Sequence, residues 1–193
     1  MTKLTNFLVL FLVLNFSSYS QNFLSTSGSS IVNENGDTII FRGMGLGGWM
    51  VQEGYMMAPG GFSSTQYQIK DRLIELIGEE ETDVFYHNWL SNHVRKIDID
   101  SMKQWGFNLI RVPIHYNLFT EPIENEPFPN AYTEKEIGFT LLDSLLSWCK
   151  QNQIYLMIDL HAAPGGQGYN ADISDYDPTK PSLWESTLNQ NKT

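Results

Sequence analysis

The sequence predicts an α/β fold: about the first three βα units of a (β/α)8 TIM barrel, preceded by a β-hairpin. Three observations carry this. Strand and helix signals alternate along the chain, which means parallel pairing through crossover helices. The segments 108–114 and 154–160 are apolar for most of their length, as expected of parallel strands covered on both faces. The unusual polar residues gather just after the strands, on the face where such barrels carry their chemistry.

The first twenty residues are set aside as a secretory signal. Lys3 precedes the apolar run Phe7 to Leu14, and the small, polar stretch Ser17-Ser18-Tyr19-Ser20 follows. A spanning helix would need roughly 20 apolar residues, so no membrane association is expected after cleavage before Gln21. Domain boundaries are therefore 1–20 for the signal and 21–193 for the N-terminal part of one barrel domain.

Ile31-Val32 and Thr38-Ile39-Ile40-Phe41 flank Asn33-Glu34-Asn35-Gly36-Asp37, whose Asn-Gly step suits a tight hairpin. The hairpin reads as a small lid, its second arm running into the first barrel strand near Arg42. Ser63-Ser64 is expected to cap a helix carrying Ile69, Leu73, Ile74 and Ile77, with Gly78 as its stop. Helix continues through Val84, Phe85, Trp89 and Val94, and a short helix runs from Asp98 to Trp105-Gly106. Asn108 to Ile114 is the second strand, with Pro113 near its end. Thr133-Glu134-Lys135-Glu136 reads as a capping box for a helix with the stripe Ile137, Leu141, Leu142, Leu145, Trp148 and Cys149. Ile154 to Leu160 is the third strand. After the Gly-, Asp- and Pro-rich loop 164–181, a last helix is expected from Ser182-Leu183-Trp184-Glu185.

Without residues 1–20 the chain has 11 basic and 22 acidic residues, a formal charge of −11, because Lys3 is the one charged residue in that stretch. Such a balance excludes nucleic acid as a partner. The five Trp, nine Tyr and eleven Phe provide faces that stack on sugar rings, although any single ring is more often core. Cys149 is the sole cysteine, so no internal disulfide forms.

The candidate site follows from strand parity. Arg111 shares a side with Leu109 and Pro113, and Asp159 shares a side with His161. One inward cluster of Arg111, Asp159 and His161 is expected. His115-Tyr116 follows the second strand and Gly43 to Glu53 follows the first. Gly43, Gly45 and Gly48 spell a dinucleotide fingerprint, but Pro59-Gly60-Gly61 stands nearby instead of a helix N-terminus. His87 and His93 lie six apart and face different sides of a helix, so no metal and no cofactor is expected.

These motifs resemble glycoside hydrolase family 5, the cellulase family A barrels, and within it the exo-β-1,3-glucanase-like branch. The resemblance runs from Arg42-Gly43-Met44-Gly45-Leu46-Gly47-Gly48-Trp49 through Trp105 to Ile114 and Asp159 to Gln167, and ends at Pro181 to Ser186. It implies a retaining hydrolase of β-glucan, β-1,3- or β-1,4-linked, whose two carboxyl groups stand about 5 Å apart. It further implies that Arg111 supports the nucleophile electrostatically, that His161 lies beside the sugar, and that Glu53 hydrogen-bonds sugar hydroxyls. Trp49, Tyr55, Asp159 and His115 complete the binding or supporting set. The family's two catalytic glutamates follow strands four and seven, beyond Thr193, so no catalytic residue is assigned within this chain. Asn125-Glu126-Pro127 spells the acid/base tripeptide but follows strand two, and fold position sets geometry. The rival readings are a non-catalytic carbohydrate-binding remnant and, less favoured, an unrelated barrel enzyme with Asp159 and His161 on a metal. An unclosed barrel leaves strand edges bare, so the isolated chain is expected to fold poorly.

Overall fold

The computed structural model describes residues 23–57, 61, 63–169 and 171–193; the predicted signal over 1–20 lies outside them. The chain divides into two units, up to Ile40 and from Phe41 onward.

In the first unit, β1 (Ser25–Ser27) pairs antiparallel with β2 (Ser30–Val32), and Val32 bridges Thr38 across the expected turn. The turn is held by Asn33, whose Oδ1 accepts from the N–H groups of Asn35 and Asp37. Gly36, at φ 82°, supplies the positive φ that the Asn-Gly step was read for. β1 is an unexpected strand, because Ser25-Thr26-Ser27 has no apolar alternation to announce it.

The second unit is a three-stranded parallel sheet in the order β3 (Gly43–Gly45), β4 (Leu109–His115), β5 (Tyr155–Ala162). Gly43-Met44-Gly45 is thus the first strand itself and not the loop after it; its partners Leu109, Ile110 and Arg111 fix the pairing. The core lies against β4, where Ile110 and Val112 are fully buried together with Ile99, Leu145 and Cys149. Burial pushes the Cys149 thiol up to about 11, so it is a small core hydrophobe.

Helices α1 (Gly54–Met57), α2 (Gln66–Ile77), α3 (Glu79–Asn92) and α4 (Lys96–Gln104) fill the connection from β3 to β4. The cap of α2 is Thr65, not Ser63 or Ser64. Its hydroxyl accepts from Gln68 N–H at 3.3 Å while Gln68 Oε1 accepts from Thr65 N–H, a reciprocal pair that needs the residue three before Gln68. Gly78, at φ 85°, ends α2 as expected. Val94 falls outside α3 and is buried in the core. Asp98 does not start α4; it sits in the first turn, where its carboxylate accepts from Arg95 N–H at 2.8 Å.

α5 (Glu136–Gln151) links β4 to β5 and buries Leu145 and Cys149 from the predicted stripe. Its cap, however, is Lys135, and Thr133 makes no capping box. The Thr133 hydroxyl and N–H donate instead to Glu126, at 2.7 and 3.0 Å. α6 (Ala171–Ser174) and α7 (Thr187–Lys192) follow β5. The last helix starts five residues later than predicted, capped by Ser186, because Ser182 and Glu185 bond each other in a separate turn. Among the described residues, no helix is long and apolar enough to cross a membrane.

β5 departs from the expectation of cover on both faces: Met157, Ile158 and Leu160 are 48, 53 and 39% exposed. Among the described residues β5 is the edge strand, paired with β4 on one side, while Leu156 packs against the core.

Glu126 belongs to the fold. Its carboxylate pairs with Lys192, with both side chains 4% exposed, and so ties the Pro-rich loop to α7. The Lys192 ammonium, followed by the Thr133 N–H, holds its carboxyl down at about 2, against an ordinary value of 4.5. A depressed carboxyl stabilises the folded state above its unfolded pKa and loses that contribution as pH falls through the folded one. Glu126→Gln is therefore expected to show a smaller loss of stability than the unaltered protein between pH 4.5 and 2, read from urea midpoints. Equal losses would mean that the pair contributes nothing.

Candidate active site

Parallel strands end on one face, and the candidate residues meet there. Arg111 stands on β4, two positions before the Pro113↔Asp159 register pair, and its side chain reaches diagonally to β5. Its Nη2 donates to Asp159 Oδ2 and lies 3.1 Å from His161 Nδ1. His161 Nδ1 is nearer to Asp159 Oδ2, at 2.8 Å, so the ring donates through Nδ1 and Arg111 serves the same carboxylate oxygen. The opposite ring nitrogen, Nε2, lies 3.4 Å from Glu53 Oε1.

Glu53 comes from the turn between β3 and α1 and is 2% exposed. The Tyr55 ring is 64% exposed, with its hydroxyl end beside Glu53. Partial burial of that end, then the Glu53 charge and hydrogen bond, push the phenol above the ordinary tyrosine range, against a smaller lowering by Arg111. The result is a wall of two carboxylates, one guanidinium, one imidazole and one phenol, with donors and acceptors alternating. Such a surface suits the paired donor and acceptor character of sugar hydroxyls. A metal at Asp159 and His161 fits poorly, because the two already bond each other and the Arg111 cation lies against both.

Two candidates stand elsewhere. Trp49 is 2% exposed, packs in the core and donates from its indole N–H to Leu90 O at 2.9 Å, so it offers no face to a sugar. His115 is buried at the end of β4; its Nδ1 accepts from Asn117 N–H and its Nε2 donates to Asp175 Oδ2 at 2.9 Å. Asp175 in turn accepts from Tyr67 N–H, joining three segments. This group lines a cavity of about 710 Å³ with Tyr116, Glu124 and Lys180, apart from the Arg111 cluster. Sequence reading missed Asp175. Its φ of 52° is a conformation that aspartate tolerates, but nothing nearby in the chain marks it.

His93 ends α3 with its ring 4.4 Å from that of Trp89. Among the described residues, no group of three His, Cys, Asp or Glu could hold a metal ion.

Residues 68–190 match the family Cellulase (glycosyl hydrolase family 5). A beta-xylosidase of Phanerodontia chrysosporium is 34% identical over 84% of this chain and 32% of its own length. A probable glucan 1,3-beta-glucosidase A of Aspergillus niger is 32% identical over 80% of this chain and 35% of its own length. Glucan 1,3-beta-glucosidase 2 of Saccharomyces cerevisiae is 29% identical over 68% of this chain and 26% of its own. The chain thus spans about a third of the length of these relatives. The match covers the strands that carry Arg111, Asp159 and His161, and by it this chain belongs to glycosyl hydrolase family 5.

Proposed function

We propose that this chain forms the sugar-holding wall of an exported, retaining β-glucan hydrolase with a (β/α)8 barrel. The observation that carries the proposal is the single network of Arg111, Asp159, His161 and Glu53, brought together from β4, β5 and the turn after β3. Glu53 and His161 would grip sugar hydroxyls. Arg111 would bring positive charge beside the carboxylate that attacks the anomeric carbon. The acid/base and nucleophile are glutamates after a fourth and a seventh strand, outside these 193 residues. The first would protonate the leaving oxygen while the second forms the glycosyl-enzyme bond, and water would then cleave that bond with net retention.

The full-length translation product is expected to release reducing sugar from laminarin or carboxymethylcellulose, with retained anomeric configuration by proton NMR and no response to a chelator. Residues 21–193 alone should release none. Inversion, loss of activity on chelation, or turnover by residues 21–193 would each overturn the assignment.

A further inference from the structure

The register of β5 against β4 slips once. Ile114 pairs with Leu160 but His115 pairs with Ala162, so His161 is the extra residue of a bulge. A bulged residue turns its side chain at a new angle and leaves its backbone groups without ladder partners. One side chain fills that gap. Gln167 Nε2 donates to His161 O at 2.5 Å, and Gln167 Oε1 accepts from Ala163 N–H at 3.1 Å. A carboxamide is the side chain that presents a donor and an acceptor side by side, as a neighbouring strand would.

The loop that carries Gln167 is itself anchored. Gly166 N–H donates back to Ala163 O, Leu183 N–H donates to Gly166 O, and the Trp184 indole donates to Gln167 O at 2.7 Å. Gly165 has φ 76°, and a Cβ there would lie 2.3 Å from Asn189 Nδ2, so loop and α7 segment are in direct contact.

We infer that Gln167 is a positioning residue of the sugar site: by pairing the carbonyl of the bulged residue and the N–H of Ala163 beyond it, it sets the angle at which His161 meets Asp159 on one side and Glu53 on the other. The inference rests on the sugar-binding reading above, since His161 is the group it serves.

The test compares Gln167→Glu and Gln167→Met in the full-length translation product, with a sulfur-linked gluco-oligosaccharide as uncleavable probe. In Gln167→Glu one carboxyl oxygen must face the His161 carbonyl. Ionised, it repels that oxygen; protonated, it donates to it and restores the amide pattern. Affinity is expected about tenfold below that of the unaltered protein at pH 8 and within about twofold at pH 4.5, each ratio taken at one pH. Asp159, Arg111, Glu53 and His161 are the same in both proteins, so their titration divides out to first order. Gln167→Met, which keeps the length and loses both bonds, should stay about tenfold weaker at both values. A purely structural role would lower both unfolding midpoints and leave the Gln167→Glu ratio independent of pH, which overturns the inference, as would ratios near one. The imidazole ¹⁵N shifts of His161, read without sugar, are expected to move in Gln167→Met. If the unaltered protein binds no probe, the functional reading falls, and unmoved ¹⁵N shifts would separately overturn the role of Gln167.

Discussion

Replacing Arg111 by methionine is expected to weaken binding of a sulfur-linked gluco-oligosaccharide about 30-fold at pH 7, a loss of about 2 kcal/mol. Arg111 is the sole cation of the wall, and its Nη2 touches both Asp159 and His161. Without it the Asp159 carboxylate keeps only the imidazole as a partner, and a second carboxylate, Glu53, stands on the far side of the same ring. The wall then carries two negative groups and no fixed positive one. Arg111 is 42% exposed, so water replaces part of what is lost, which keeps the expected effect well below that of a buried pair. Arg111→Lys should fall between the two, since it keeps the charge but not the planar guanidinium that lies against both Asp159 and His161. Titration calorimetry reads the series, and an affinity within threefold of the unaltered protein for Arg111→Met would remove Arg111 from the site.

The second large effect is expected at Gly54. A Cβ built there would lie 2.5 Å from Ser64 O, 2.6 Å from Ser64 Cα and 2.8 Å from Ser63 O, all backbone atoms. Gly54 N–H also donates to Ser64 O at 2.8 Å, so the two segments cannot part without losing that bond. Ser64 is followed by the Thr65 cap, so a push there reaches the start of α2, and it also moves Glu53 and Tyr55 on either side of the substituted residue. Gly54→Ala should cost about 2–3 kcal/mol in a denaturant titration, as overpacking of a close contact does. Gly45→Ala is the matched control: a Cβ there meets nothing within 4 Å, and the expected change is within about 0.5 kcal/mol. Equal costs at the two glycines would remove close approach as the reason for Gly54.

What the sequence disclosed, and what it did not, follows from the range of each force. Side chains on a strand alternate with a period of two, so Arg111, Asp159 and His161 could be placed on one side from their numbers alone, and the structure brings them together. Capping needs only a few residues, yet it was misjudged at Ser63-Ser64, Thr133 and Ser182. In each case more than one hydroxyl or carboxylate was within reach: Gln68 selected Thr65 and Glu185 selected Ser182 from three residues away, whereas Glu126 claimed Thr133, and Lys192 claimed Glu126 across 66 positions. Trp49 was misplaced because an indole serves equally as a stacking face and as a core filler, and burial depends on α3 packing over it. The bulge at His161 leaves no mark in composition; Gln167 is its only trace in the sequence, six residues on.

The wall also has an order of assembly. Arg111 finds its partners 48 and 50 positions later in the chain. Glu53 meets a residue 161 − 53 = 108 positions ahead of it. A growing chain therefore exposes Glu53 and Arg111 long before β5 exists, and neither has its site partners until His161 has been synthesised and paired. The contacts that join its three segments are all distant ones, whose closure is slow compared with helix formation. On the ribosome the helices from α2 to α5 can form first, and the site is completed only when β5 docks.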